Sequence, residues 1–141
     1  MFSSRNLWII DDDSDDHLLV QHALRDLGYR AKASFFENAE DAVNFLVNAA
    51  PGDLPHLILC DLKMPGMTGF DFLTWLRKSQ FKAIPVIIRS NSKHQTDVNR
   101  AYNLGANAYN VKECTAKTMQ EAFAVLCQYW VDHCKTPLLA Q

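Results

Sequence analysis

The sequence predicts an α/β fold: five parallel strands in one doubly wound sheet, with helices on both faces. Three observations predict it. Apolar runs of strand length alternate five times with stretches of helical periodicity. Four of those runs end on acids, a hydroxyl or an amine. The chain has 141 residues, 48% of them hydrophobic, enough for one core of ordinary domain size.

The elements follow in order. "LWII" (7–10) is the first strand, and "SDDHLLVQHALRDLG" (14–28) reads as a helix stopped by Gly28. "AKASFF" (31–36) is a weaker second strand, followed by a helix that starts at Asn38 and ends before Pro51-Gly52. "HLILC" (56–60) is the third strand. Its helix, "GFDFLTWLRKS", carries Phe70, Leu73, Trp75 and Leu76 largely on one side. "IPVIIR" (84–89) is the fourth strand, and the more polar "TDVNRAYNLGA" gives a helix stopping near Gly105. "AYNV" (108–111) is the fifth. The last helix, 115–134, is the longest, with Met119, Phe123, Leu126, Cys127 and Trp130 on one face. Strict alternation of this kind implies a parallel sheet covered on both sides, joined by right-handed crossovers.

Bulk properties narrow the function. A net charge of −2 argues against a nucleic-acid binder with a broad basic face. No apolar run approaches 18 residues, and the N-terminus lacks the apolar length and cleavage site of a signal peptide, so a cytoplasmic protein is expected. Cys60, Cys114, Cys127 and Cys134 form no CxxC pair and should be reduced thiols, with Cys60 buried and the last two sharing one helix face. The whole chain reads as one domain, with a core from about 6 to 134 and a short tail at 135–141.

In a doubly wound sheet, sites form beyond the carboxyl ends of the strands. There the chain places Asp11-Asp12-Asp13, Asp61, Ser90 and Lys112. Like charges about 4 Å apart repel by roughly 1 kcal/mol in water and about four times that near a partly desolvated surface. Ser14, Asp15 and Asp16 read as helix N-terminal residues. Asp11 and Asp12 end a buried strand and need another explanation. The spacing fails an EF-hand loop, because Asp16 and His22 stand where Gly and Glu belong. Two or three carboxylates with Asp61 suit a hard divalent cation such as Mg²⁺. Asp61 alone would be an ordinary turn aspartate. Beside an acidic pair it reads as a nucleophilic carboxylate that can take a phosphoryl group. Ser90 and Lys112 would supply the hydroxyl and the cation that such a transfer needs.

These pieces resemble the receiver domain of two-component response regulators, over nearly the whole chain. The matching stretches are "IIDDDS", "LCDLKMPGMTGFDFL", "PVIIRSNS" and "GANAYNVK", the second being very specific. The resemblance implies a (βα)5 flavodoxin-like fold with strand order 2-1-3-4-5. It implies that Asp61 is the phosphoacceptor. Asp11, Asp12, Asp61 and the backbone carbonyl of Lys63 would hold Mg²⁺. Ser90 and Lys112 would complete the catalytic set, and Tyr109 would turn inward when Ser90 moves onto the phosphoryl group. Asp13 takes a supporting role at most. The donor would be a phosphohistidine on a sensor histidine kinase or a histidine phosphotransfer protein. Phosphotransfer and autodephosphorylation would be self-catalysed rather than the work of a dedicated enzyme. The output surface would be the fourth helix, fifth strand and fifth helix, which could also pair two copies. The acidic start and the tail are similar to small receivers that pair with phytochrome-type kinases. With no effector segment in the sequence, a stand-alone receiver is expected, either a signalling endpoint or a relay intermediate.

Three positions depart from the pattern. Glu113 replaces the Pro that usually follows the lysine. A trans bond and a reshaped loop are expected there, which puts the reach of Lys112 in question. Arg89 stands at a strand position that is commonly apolar, and an ion pair or a stem packed along the sheet is its expected role. Asn91 replaces a small residue and could narrow access to the site. Lys63 and Ser92 would flank the path of attacking water and set the dephosphorylation rate. Among other classes, an aspartate-nucleophile phosphatase of the haloacid dehalogenase type needs a second Asp at position 63, where Lys stands. A nucleotide-binding fold lacks both GxGxxG and GxxxxGK[ST]. A pseudo-receiver acting as a phosphorylation-independent interaction module is disfavoured, because all five site positions are filled.

Overall fold

The structure, a computed structural model, describes residues 5–29, 32–113 and 115–137. Five strands and five α-helices alternate: β1 (Asn6–Ile10), α1 (Ser14–Asp26), β2 (Lys32–Phe36), α2 (Ala39–Asn48), β3 (Leu57–Cys60), α3 (Gly69–Lys78), β4 (Val86–Ser90), α4 (Gln95–Asn103), β5 (Ala108–Val111) and α5 (Ala116–Cys127). The strands form one parallel sheet in the order β2-β1-β3-β4-β5. That is the predicted fold and strand order. The order reverses direction at β1 and β3, so the crevice between their carboxyl ends is the switch point.

The period-2 alternation of the strands divides the core in two. Trp8, Ile10, Ile58, Cys60, Val86 and Ile88 face α2, α3 and α4 and pack with Leu46, Phe72, Leu73 and Leu76. Leu7, Ile9, Leu57, Leu59 and Ile87 face α1 and α5 and pack with Val20, Leu24, Met119, Phe123 and Cys127. β1 and β3 are buried over their whole length, as strands covered on both faces must be.

The helix ends are set locally. Asn38, Thr68 and Thr115 cap α2, α3 and α5 through their side chains. Asp13, not Ser14, caps α1, accepting from the amides of Asp15 and Asp16. Gly28 and Gly105 end α1 and α4 at positive φ.

The last helix differs from the expected single run. α5 stops at Cys127, and a π-helical segment, Gln128–His133, carries the chain on. The wider turn shifts the buried phase, so Val131 is the buried residue and Trp130 packs only at the edge of the cluster. Cys134 lies past the helical end, half-buried, while Cys127 is buried, so the two do not share a helix face. Cys60 is buried as expected, and Cys114 lies outside the described residues. Among the described residues no helix is long and apolar enough to cross a membrane.

Candidate functional site

The site is built where the strands run out. β1 delivers Asp11 and Asp12, and β3 delivers Asp61. One ligand oxygen from each lies within 4.8 Å of the other two. Asp11 and Asp61 are buried, and Asp12 is exposed. The backbone amide of Asp61 donates to the Ile10 carbonyl at 3.0 Å, which locks the two strand ends together. Asp61 Oδ1 accepts from the Leu62 amide at 2.7 Å. Gly69 lets α3 close over this turn, because a Cβ there would collide with the Asp61 carbonyl oxygen.

Lys112, just past β5, reaches into the cluster. Its Nζ lies 2.6 Å from Asp11 Oδ2 and 3.2 Å from Asp61 Oδ2. The bond between Lys112 and Glu113 is trans, since the described residues contain no cis peptide, and the lysine reaches the acids nonetheless. Burial lifts the Asp11 carboxyl to about 6, against the opposing pull of Lys112. Burial alone would depress the Lys112 amine, but the contact with Asp11 outweighs it and raises it above the usual value. Burial decides the direction for the acid, and the ion pair decides it for the amine.

Three carboxylates against one ammonium leave two negative charges among these four residues. An all-oxygen donor set with that residual charge fits a hard divalent cation such as Mg²⁺. Lys63 lies in the loop after Asp61, and its side chain is exposed. The ligand expected from it is its backbone carbonyl.

Ser90 is buried at the end of β4, and its hydroxyl oxygen accepts from the Ser92 amide at 3.2 Å. Ser92 in turn donates to Asp97 at 2.5 Å, tying the loop after β4 to the first turn of α4. Tyr109 on β5 is half-buried against the core, and its hydroxyl donates to the Ser92 carbonyl at 2.8 Å. Ser90 and Tyr109 thus meet through Ser92. Asn91 is exposed beside them.

Sequence reasoning missed a second set of residues. Asp16, read as a helix N-terminal residue, is buried and pairs with Arg89 at 2.6 Å. Arg89 also pairs with Glu113 at 2.8 Å and lies over the Phe123 ring, 5.3 Å from its centroid. Burial pushes the Asp16 carboxyl up, but the guanidinium overrides it and holds the acid below its ordinary range. An arginine at a buried strand position was the available signal, since such a charge needs buried acids near it. The ion pair expected of Arg89 is therefore present, with partners that the sequence reading did not name.

Comparison with known proteins identifies the family and the fold. The family model of the response regulator receiver domain matches residues 7–124. The chain is 32% identical to chemotaxis protein CheY-3 of Vibrio cholerae over 114 residues, 80% of this chain and 84% of that one. Its fold matches the phosphorylated cyanobacterial phytochrome response regulator RcpA with a TM-score of 0.85 at 24% identity, covering 94% of this chain and 98% of the other. It also matches the bacteriophytochrome response regulator AtBRR, with a TM-score of 0.71 at 26% identity over 90% and 95% of the two chains. With the strand order, the acidic switch-point cluster and the lysine all in place, the chain belongs to the response regulator receiver domain family.

Proposed function

We propose that this receiver takes a phosphoryl group onto Asp61 from the phosphohistidine of a sensor histidine kinase or a histidine phosphotransfer protein. The observation that carries the proposal is the convergence of Asp11, Asp12 and Asp61 within 4.8 Å, with Lys112 inserted between Asp11 and Asp61. In the transfer an Asp61 carboxylate oxygen bonds to phosphorus as the P–N bond to the donor imidazole breaks. The imidazole leaves with the electron pair, and Asp61 becomes an acyl phosphate. Asp11, Asp12, Asp61 and the Lys63 carbonyl would hold Mg²⁺, which when bound supplies charge neutralisation at the transferring oxygens. The Lys112 ammonium and the Ser90 hydroxyl bind and orient those oxygens.

The readout proposed is the Ser90–Ser92–Tyr109 connection. A hydroxyl drawn toward the phosphoryl group shifts the loop that carries the Ser92 carbonyl, and with it the Tyr109 contact and α4. The face of α4, β5 and α5 then presents the signal to a partner or to a second copy of the chain. Lys63 and Ser92 flank the water path for autodephosphorylation. The likeness to a bacteriophytochrome response regulator supports a phytochrome-type kinase as donor. The filled site disfavours a phosphorylation-independent module. The test is phosphotransfer from a panel of autophosphorylated histidine kinases carrying radiolabel. Label should pass to the wild type with Mg²⁺ and not to Asp61→Asn. Equal labelling of that variant would remove Asp61 from its role.

A further inference from the structure

We infer that Arg89 and Glu113 form a positioning device that holds Lys112 at the acid cluster, with Asp16 as its anchor on α1. The inference rests on the reading of Asp61, Asp11 and Lys112 as the reacting site.

Arg89 precedes Ser90 on β4. By strand alternation the two side chains leave on opposite faces, so Ser90 serves the site while Arg89 enters the layer between the sheet and α1 and α5. There its guanidinium is almost fully buried, with 3% of the side chain exposed. Its fork is used on two sides. Nη1 and Nη2 meet the two oxygens of Asp16 at 2.6 and 3.2 Å, and Nε and Nη2 meet Glu113 Oε2 at 3.3 and 2.8 Å. Both acids are themselves buried, with side chains 9% and 8% exposed. Phe123 of α5 closes over the cation.

What these two acids are attached to gives the device its use. Asp16 stands in the first turn of α1, directly after the acidic loop of Asp11 and Asp12. Glu113 is the next residue after Lys112. One planar cation therefore pins both segments that meet at the site, the one bearing the metal-binding acids and the one bearing the amine. The Lys112 amide is also fixed, donating to the Ser90 carbonyl at 2.8 Å. With its backbone held on both sides, the Lys112 stem starts from a fixed position, from which its amine meets Asp11 and Asp61 at 2.6 and 3.2 Å.

Stability alone is a poor reason for such a group. Burying two acids and an arginine costs desolvation that a well-packed apolar cluster would not, and such clusters are often as stable or more so. Fixing geometry is the attested use of a buried ionic group. Arginine suits the task because its fork can bond two carboxylates in one plane, which a lysine ammonium does not reproduce.

The experiment is a double-mutant cycle on the full chain. Asp61 phosphorylation by acetyl phosphate is followed at saturating Mg²⁺ for wild type, Glu113→Gln, Lys112→Ala and the double variant. A misplacement of a catalytic group by about 1 Å costs on the order of a hundredfold, so Glu113→Gln should slow the wild type about tenfold or more. It should change nothing further once Lys112 is gone, because it acts through Lys112. Equal slowing in both backgrounds, or no slowing in the wild type, overturns the inference. A second readout does not need the reaction. The NMR signal of the Lys112 ammonium, assigned with Lys112→Arg, should be protected from exchange in the wild type and lose protection in Glu113→Gln and Arg89→Lys. Unchanged protection overturns the inference even if the wild type takes no phosphate, whereas a silent wild type with the expected loss of protection overturns only the functional reading on which the inference rests. Should Arg89→Lys fail to fold, the neutral set Asp16→Asn, Arg89→Met and Glu113→Gln replaces it, with the same expected loss.

Discussion

Lys112 Nζ stands 2.6 Å from Asp11 Oδ2, so an amine from beyond the edge strand β5 neutralises an acid from beyond the interior strand β1. It neutralises only one of three. Asp12 and Asp61 remain within 4.8 Å of Asp11 and of each other, and their mutual repulsion destabilises the native state alone.

Metal should therefore stabilise the fold. A cation that binds only the native state at about ten times its Kd adds about 1.4 kcal/mol. For a chain of this size that is a rise in Tm of about 5 °C. Asp12→Asn should melt higher than wild type in EDTA and gain less from Mg²⁺. Calorimetry of the two proteins with and without millimolar Mg²⁺ checks both. Identical melting of the wild type in EDTA and in Mg²⁺ would contradict the cation site.

Gly69 admits no side chain, because a Cβ there would collide with the carbonyl oxygen of Asp61. Gly69→Ala must displace either the N-terminus of α3 or the Asp61 turn. Overpacking of this kind costs about 1–3 kcal/mol. The variant should lose that stability by urea denaturation and should also weaken in Mg²⁺ binding, since the turn carries Asp61, one of the proposed ligands. A variant as stable as wild type and unchanged toward Mg²⁺ would show that the close approach is relieved elsewhere.

The contact between Tyr109 and the Ser92 carbonyl predicts how the phosphoform is read. Ser90→Ala should accept phosphate more slowly, and phosphorylation should no longer move the ring signals of Tyr109 in an NMR spectrum. Tyr109→Phe should lose about 1 kcal/mol from the missing hydrogen bond and keep its phosphorylation rate. Tyr109 signals that shift alike in Ser90→Ala and in wild type would refute the connection.

His56 gives the fold a pH dependence of its own. Its Nδ1 accepts the Asn6 amide at 2.9 Å, which requires the neutral ring. Burial, helped by the nearby charge of Arg5, holds its pKa below the ordinary histidine value. Below about pH 6.5 the unfolded chain takes up this proton more readily than the native one. The contribution of His56 is therefore full above that pH and is lost as pH falls toward the lowered native pKa. His56→Asn keeps an acceptor in place of Nδ1 and does not titrate. Urea midpoints between about pH 5 and 7.5 should fall more steeply for wild type than for the variant on the acid side. Parallel curves would remove His56 as the cause.

The five strands were legible because each is an apolar run bounded by turn residues, and the switch-point acids were legible because they end those runs. Tertiary pairing was less so. Asp16 follows its cap by three residues, and spacing alone makes it a helix-end acid. It shares the buried stripe of α1 with Val20, Ala23 and Leu24, and it belongs there only because Arg89 arrives from β4. Neither partner could be assigned before the other was placed. The π-helical segment after α5 was equally hidden, because its residues continue an ordinary helical pattern.

The most direct measurement is the intact mass of the protein after incubation with acetyl phosphate, with and without Mg²⁺, beside Asp61→Asn. The site described here predicts one added phosphoryl group on the wild type, dependent on Mg²⁺ and absent from the variant. An adduct that forms equally without Mg²⁺ or on Asp61→Asn, or none with either acetyl phosphate or the kinase panel, would contradict it.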